Sequence, residues 1–65
     1  MKPTTLNELL RVYEQLDEIV SHLNNLAEIE VELEAFDDAS ILQARADILY
    51  EQMLNLEVVV LELEG

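Results

Sequence analysis

The sequence contains no cysteine, one glycine, one proline and only three basic residues against fifteen acidic ones. Each shortage excludes something. Without cysteine there are no disulfides and no thiolate metal sites, and nothing marks an oxidising, secreted compartment, so the cytoplasm is the expected location. The proline and the glycine are Pro3 and Gly65, at the two ends, and no helix breaker interrupts the interior. Lys2, Arg11 and Arg45 are the only bases. They cannot build the positive face that phosphate contacts require, and an anionic membrane surface would repel the chain, whereas a basic protein would attract it.

No apolar run approaches membrane-spanning length, and the start, MKPTTLNELL, lacks the apolar segment and small-residue cleavage site of a signal peptide. A soluble protein is expected. There is no glycine-rich phosphate loop, and Ser21 and Ser40 lack a base and an orienting group arranged for nucleophilic catalysis.

Sixty-five residues allow a single domain spanning 1–65, and a chain this short has a marginal core unless disulfides, a metal or a second copy add burial. The second copy is the source left open here. A net charge of -12 points toward disorder, but an apolar content of 51% points away from it. Periodicity decides between them. Leu6, Leu9, Tyr13, Leu16, Val20, Leu23 and Ala27 follow one another at alternating steps of three and four, and Val12, Ile19, Leu26 and Leu33, each seven apart, widen that seam into a face. A second seam runs Ala39, Leu42, Ala46, Leu49, Met53, Leu56, Val60, Leu63 without continuing the first register.

Thr5 with Glu8 and Ser40 with Gln43 have capping-box spacing, and Asp37 or Asp38 can also cap. The pattern therefore predicts helix 1 over about 5–36, a turn at about 37–39 and helix 2 over about 40–63. The fold class is all-α: an antiparallel, coiled-coil-like helical hairpin whose half-exposed apolar faces pair with a second copy into a four-helix bundle. The alternative is a small α+β chain with strands near 28–36 and 55–64, because EIEVELEAF alternates and NLEVVVLELE is rich in β-branched residues. At about 100° per residue the helical reading puts Leu26, Ile29, Leu33 and Phe36 on one side, with Val31 pointing outward amid the acids.

The segment RADILYEQM resembles part of the second helix of the Rop-type plasmid copy-number modulators, whose helical hairpins also pair into bundles. The resemblance implies the architecture only. Those proteins bind RNA through a basic helix face, and the region between Arg11 and Arg45 here holds nine acids and no lysine or arginine.

The candidate site is acidic. Glu28, Glu30, Glu32 and Glu34 fall in the last turns expected of helix 1, at the negative end of its dipole, with like charges one turn apart. Each choice is locally unfavourable, which is where function is sought; the plain alternative is a solvated surface that keeps an apolar dimer soluble. Asp37 and Asp38 extend the cluster. At the opposite end, Leu9, Leu10, Val12 and Tyr13 meet Leu54, Val58, Leu61 and their neighbours, more apolar surface than one seam requires. Glu28, Glu30, Val31, Glu32, Glu34, Asp37, Asp38, Leu54, Val58 and Leu61 are therefore the candidate partner-binding residues.

His22 lies four residues after Glu18, within reach of a shared metal, but it sits off the seam and is expected on the solvated surface. Glu14-x-x-Asp17 and Glu34-x-x-Asp37 are similar to the paired-carboxylate motifs of all-helical nucleotide pyrophosphohydrolases. No lysine or arginine stands near to steady a phosphate, and in so acidic a chain such spacings arise by chance. No catalytic residue, metal or cofactor is expected. Three functions follow in order: a non-enzymatic regulatory or adaptor protein that binds another protein, an inhibitor whose carboxylates mimic nucleic acid in a basic groove, and a metal-dependent enzyme.

Overall fold

In the computed structural model, which describes residues 2–64, two helices fold back on each other: α1 (Pro3–Glu32) and α2 (Phe36–Glu64). No strand occurs among the described residues, and the segments 28–32 and 55–64 that alternate or carry β-branched side chains are helical. The α+β alternative is thereby overturned. A helical period satisfies both apolar seams at once, whereas strands would leave their partners unpaired. None of the described helices is long and apolar enough to cross a membrane.

The helix ends differ from the capping-box reading. Lys2, with extended backbone (φ -68°, ψ 139°), precedes α1, and Pro3 takes a first-turn position where its missing N–H costs nothing. The Lys2 carbonyl accepts from the N–H groups of Thr5 (3.0 Å) and Leu6 (3.3 Å), so Thr5 lies inside the helix and caps nothing. Ser40 is likewise interior to α2. Gln43 uses its Nε2 to donate to Asn24 Oδ1 and Asp47 Oδ1, each at 3.1 Å, instead of reaching back to a cap.

The turn comprises residues 33–35, earlier than the sequence pattern indicates. Glu34 adopts a left-handed conformation, φ 61°. Its N–H donates to Val31 O (3.0 Å), and the N–H of Ala35 donates to Glu30 O (2.8 Å). These are the two bonds of a Schellman C-cap, a motif that ordinarily places glycine at the left-handed position. Ala35 then serves as the residue before α2, its carbonyl accepting from Ala39 N–H at 3.0 Å. Asp37 and Asp38 fall in the first turn of α2, where the helix dipole favours negative charge.

The two seams meet as expected. The buried apolar residues are Val20, Ala27, Ala39, Ala46, Met53 and Val60, every one a seam position. Val20, Ala46 and Met53 form the centre, with Tyr13, Leu16, Leu23 and Leu49 packed around them. Ala46, only 1% exposed, lets the helices approach closely opposite Val20. The resulting hairpin measures 48 × 14 × 11 Å between Cα atoms.

Candidate protein-binding groove at the turn

Each helix carries its seam as alternating positions a and d of a heptad, with Leu6, Tyr13, Val20 and Ala27 at a in α1 and Ala39, Ala46, Met53 and Val60 at a in α2. Around each helix the order is then g, d, a, e, b, so one broad side of the hairpin shows d and g residues and the other shows e and b residues. The Gln43 to Asn24 bond joins the two e rows and fixes their adjacency.

On the e side, next to the turn, the seam residues are Ala27 and Ala39. Two alanines facing each other leave a depression that larger side chains would fill. Val31, 49% exposed, and Phe36, 62% exposed, stand as its walls, and Glu28, Glu32, Ser40 and Gln43 complete a groove of about 510 Å³. Its floor and walls are apolar and its rim carries carboxylates. Glu28 and Glu32 are one helical turn apart, a like-charged pair that a neighbouring cation would relieve.

The expected partner-binding residues are thus divided rather than gathered. Glu28, Val31 and Glu32 share this groove. Glu34, Asp37 and Asp38 line a shallow polar hollow over the turn with Ala35 and Phe36. Glu30, half-buried, faces the opposite side, where it and Asp38 flank Ile41 and Leu42. Leu61 lies some distance away in a small cleft of about 130 Å³ with Leu10, Tyr13, Glu57 and Val60. Leu54 is exposed on the same broad side as Leu61, and Val58, 53% exposed, lies on the outer back of α2.

Val31 therefore does not stand alone amid acids, because α2 brings Phe36 and Ala39 beside it. Phe36 does not close helix 1: it opens α2 and is solvent-exposed. Ala27, Phe36, Ala39, Ser40 and Gln43 escaped the site expected from sequence. Two alanines at the turn-proximal a positions are the signal that points to a groove there.

Glu34 and Asp37 lie on either side of the break between helices, so their spacing is not that of one helix face. His22 and Glu18 are both exposed on α1. Among the described residues no three histidine, aspartate or glutamate side chains gather closely enough to hold a metal ion. No buried side-chain nitrogen or oxygen among them lacks a hydrogen-bond partner. Compared with known proteins, the chain matches no protein-family model, no curated protein and no solved structure.

Proposed function

We propose that this chain is a non-enzymatic regulatory or adaptor protein, a self-associating helical hairpin that binds another protein. The observation that carries the reading is the groove of Ala27, Val31, Phe36 and Ala39 with Glu28 and Glu32 on its rim. An apolar slot takes a bulky side chain from a partner helix or extended segment, and the carboxylates select partners that flank that side chain with lysine or arginine. A net charge of -12 adds long-range attraction for a basic surface.

A second reading, inhibition by nucleic-acid mimicry, draws support from the distribution of charge. Glu14, Asp17 and Glu28 on α1 and Asp47 and Glu57 on α2 occupy e or b positions on the groove side, and Glu18, Glu32 and Glu51 follow at f on the outer backs of the helices. A row of carboxylates can stand in for phosphates in a basic groove.

Partner capture at low and high salt separates the two. Binding that survives high salt but is lost on Val31→Asp or Phe36→Ala supports the adaptor. Binding that collapses with salt and with joint replacement of Glu28, Glu30, Glu32 and Glu34 by Gln, yet tolerates Phe36→Ala, supports mimicry and ends the groove reading.

A further inference from the structure

We infer that the broad side of the hairpin opposite the groove, formed by the d, g and c positions of both helices, is the seat of a second copy of this chain. The inference rests on the self-association in the reading above and names the surface that performs it.

Burial within the hairpin is uneven. The a residues of α2 are all buried, but the d leucines, Leu9, Leu16, Leu23, Leu42, Leu49 and Leu56, are only half-buried. The helices press together on the a side and leave the leucine row open. Beside that row run Val12, Ile19 and Leu26 at g of α1 and Arg45, Gln52 and Val59 at g of α2, with Ile41 and Ile48 beyond them at c; Ile19 and Ile48 are each 47% exposed and Ile41 is 62% exposed. Six leucines with the apolar g row of α1 make an apolar strip along the long axis, bordered in α2 by the uncharged Gln52 and by Arg45.

Charge identifies the occupant. Two chains of -12 each repel, and the repulsion is least where the facing surfaces lack carboxylates. At the d, g and c positions no aspartate or glutamate occurs between residues 9 and 29 of α1 or between 41 and 59 of α2. The acids on this side are Glu8 and Glu62 at the open end and Glu30 and Asp38 at the turn end. Arg45, one of only three bases, lies within the acid-free zone. The opposite side is interrupted by Asp17, Glu57 and Asp47. A basic partner would gain little from a face whose middle lacks acids, whereas a second acidic chain is repelled least there.

The area agrees. The accessible surface is 5014 Å² for a 7.5 kDa chain. A compact monomer of that mass exposes about 4,200 Å². The difference, roughly 800 Å², is extra surface that the elongated hairpin exposes over both broad sides, and it is on the scale that one partner contributes to a stable interface.

Orientation follows from the same charges. A parallel pair would bring together two turns that each carry Glu28, Glu30, Glu32, Glu34, Asp37 and Asp38, while an antiparallel pair sets each turn against an open end whose acids on this side are Glu8 and Glu62 and which also carries Lys2. It holds the two turns near the full 48 Å of the hairpin apart, several times the screening length of about 8 Å at physiological salt. The dimer is antiparallel, and it leaves the groove of each copy facing outward at opposite ends.

Sedimentation equilibrium from low to high micromolar concentration tests this. The expected result is a dimer whose dissociation constant rises at least about a hundredfold with Ile19→Glu or Ile48→Glu, because a carboxylate is then buried without a partner. Tyr50→Glu and Leu54→Glu add the same charge on the other side and are expected to change it less than about threefold. If the first pair of variants loses helical circular dichroism, Ile19→Ala and Ile48→Ala keep helix propensity and are expected to weaken association about tenfold. A nitroxide at Asp37→Cys, the only thiol in that variant, is expected to report a separation between the two turns close to the hairpin length. A chain that remains monomeric at high micromolar concentration overturns both the inference and the self-association. A dimer broken by Tyr50→Glu or Leu54→Glu but not by Ile19→Glu, or turns found within a few residues' length of each other, overturns the inference alone.

Discussion

Replacing Glu34 by glycine is expected to stabilise the protein, and the structure allows the size to be worked out. Glu34 holds φ at 61° so that its own N–H and that of Ala35 can close the end of α1. For a residue with a Cβ that conformation costs about 1–2 kcal/mol. Glycine removes the clash but loses more chain freedom on folding, which returns about 0.5–1 kcal/mol. Taking one negative charge from the negative end of the helix adds about 0.3 kcal/mol at low salt. The net gain is therefore about 1 kcal/mol. In a chain of 65 residues this corresponds to a rise in Tm of roughly 4–8 °C. Thermal and urea unfolding followed by circular dichroism would measure it, at one fixed protein concentration so that the proposed self-association is held constant across the comparison. Glu34→Gln separates the causes, since it removes the charge and keeps the Cβ. If Glu34→Gly proved no more stable than Glu34→Gln in high salt, backbone strain at this position would have to be abandoned as an explanation.

Other outcomes follow from the same geometry. Ala35→Ser gives α2 the side-chain cap it lacks and is expected to add about 1 kcal/mol in urea unfolding, whereas no gain would mean the Ser oxygen does not reach the first-turn N–H groups. Met53→Ala removes a side chain that is 3% exposed and packs at the centre of the core. The expected loss of about 2–4 kcal/mol would leave little or no cooperative unfolding transition in so small a domain. Phe36→Ala, by contrast, is expected to change stability by less than about 0.5 kcal/mol while abolishing partner binding, and a large stability loss would return Phe36 to the core. Converting Glu28, Glu30, Glu32 and Glu34 together to Gln is expected to raise stability by about 1 kcal/mol in dilute buffer and by much less at high salt; a salt-independent effect would show that repulsion is not the cause.

Much of the fold was legible in the residues themselves. The steps of three and four from Leu6 to Ala27 and from Ala39 to Leu63 specify two helices and their inward faces, because only a helical period brings such positions to one side. Each buried apolar residue falls on one of those seams. The place of the turn was not legible. In a chain whose only glycine is Gly65, the reversal uses a glutamate in a left-handed conformation, and nothing distinguishes Glu34 from the glutamates before it. Asp37 and Asp38 look like caps but are first-turn residues of α2, and the two capping-box spacings are unused because Pro3 and the Schellman bonds already settle the helix ends.

A heptad fixes where a side chain points around its own helix, and in that sense the sequence by itself determined the buried stripe, the helical hairpin and the overall acidity. It does not say which layer of one helix lies beside which layer of the other. That depends on where the chain reverses and how closely the alanines let the helices approach. Only the tertiary structure set Val31 and Phe36 across the gap between Ala27 and Ala39. Register between two helices is a property of their packing, and no residue carries it alone.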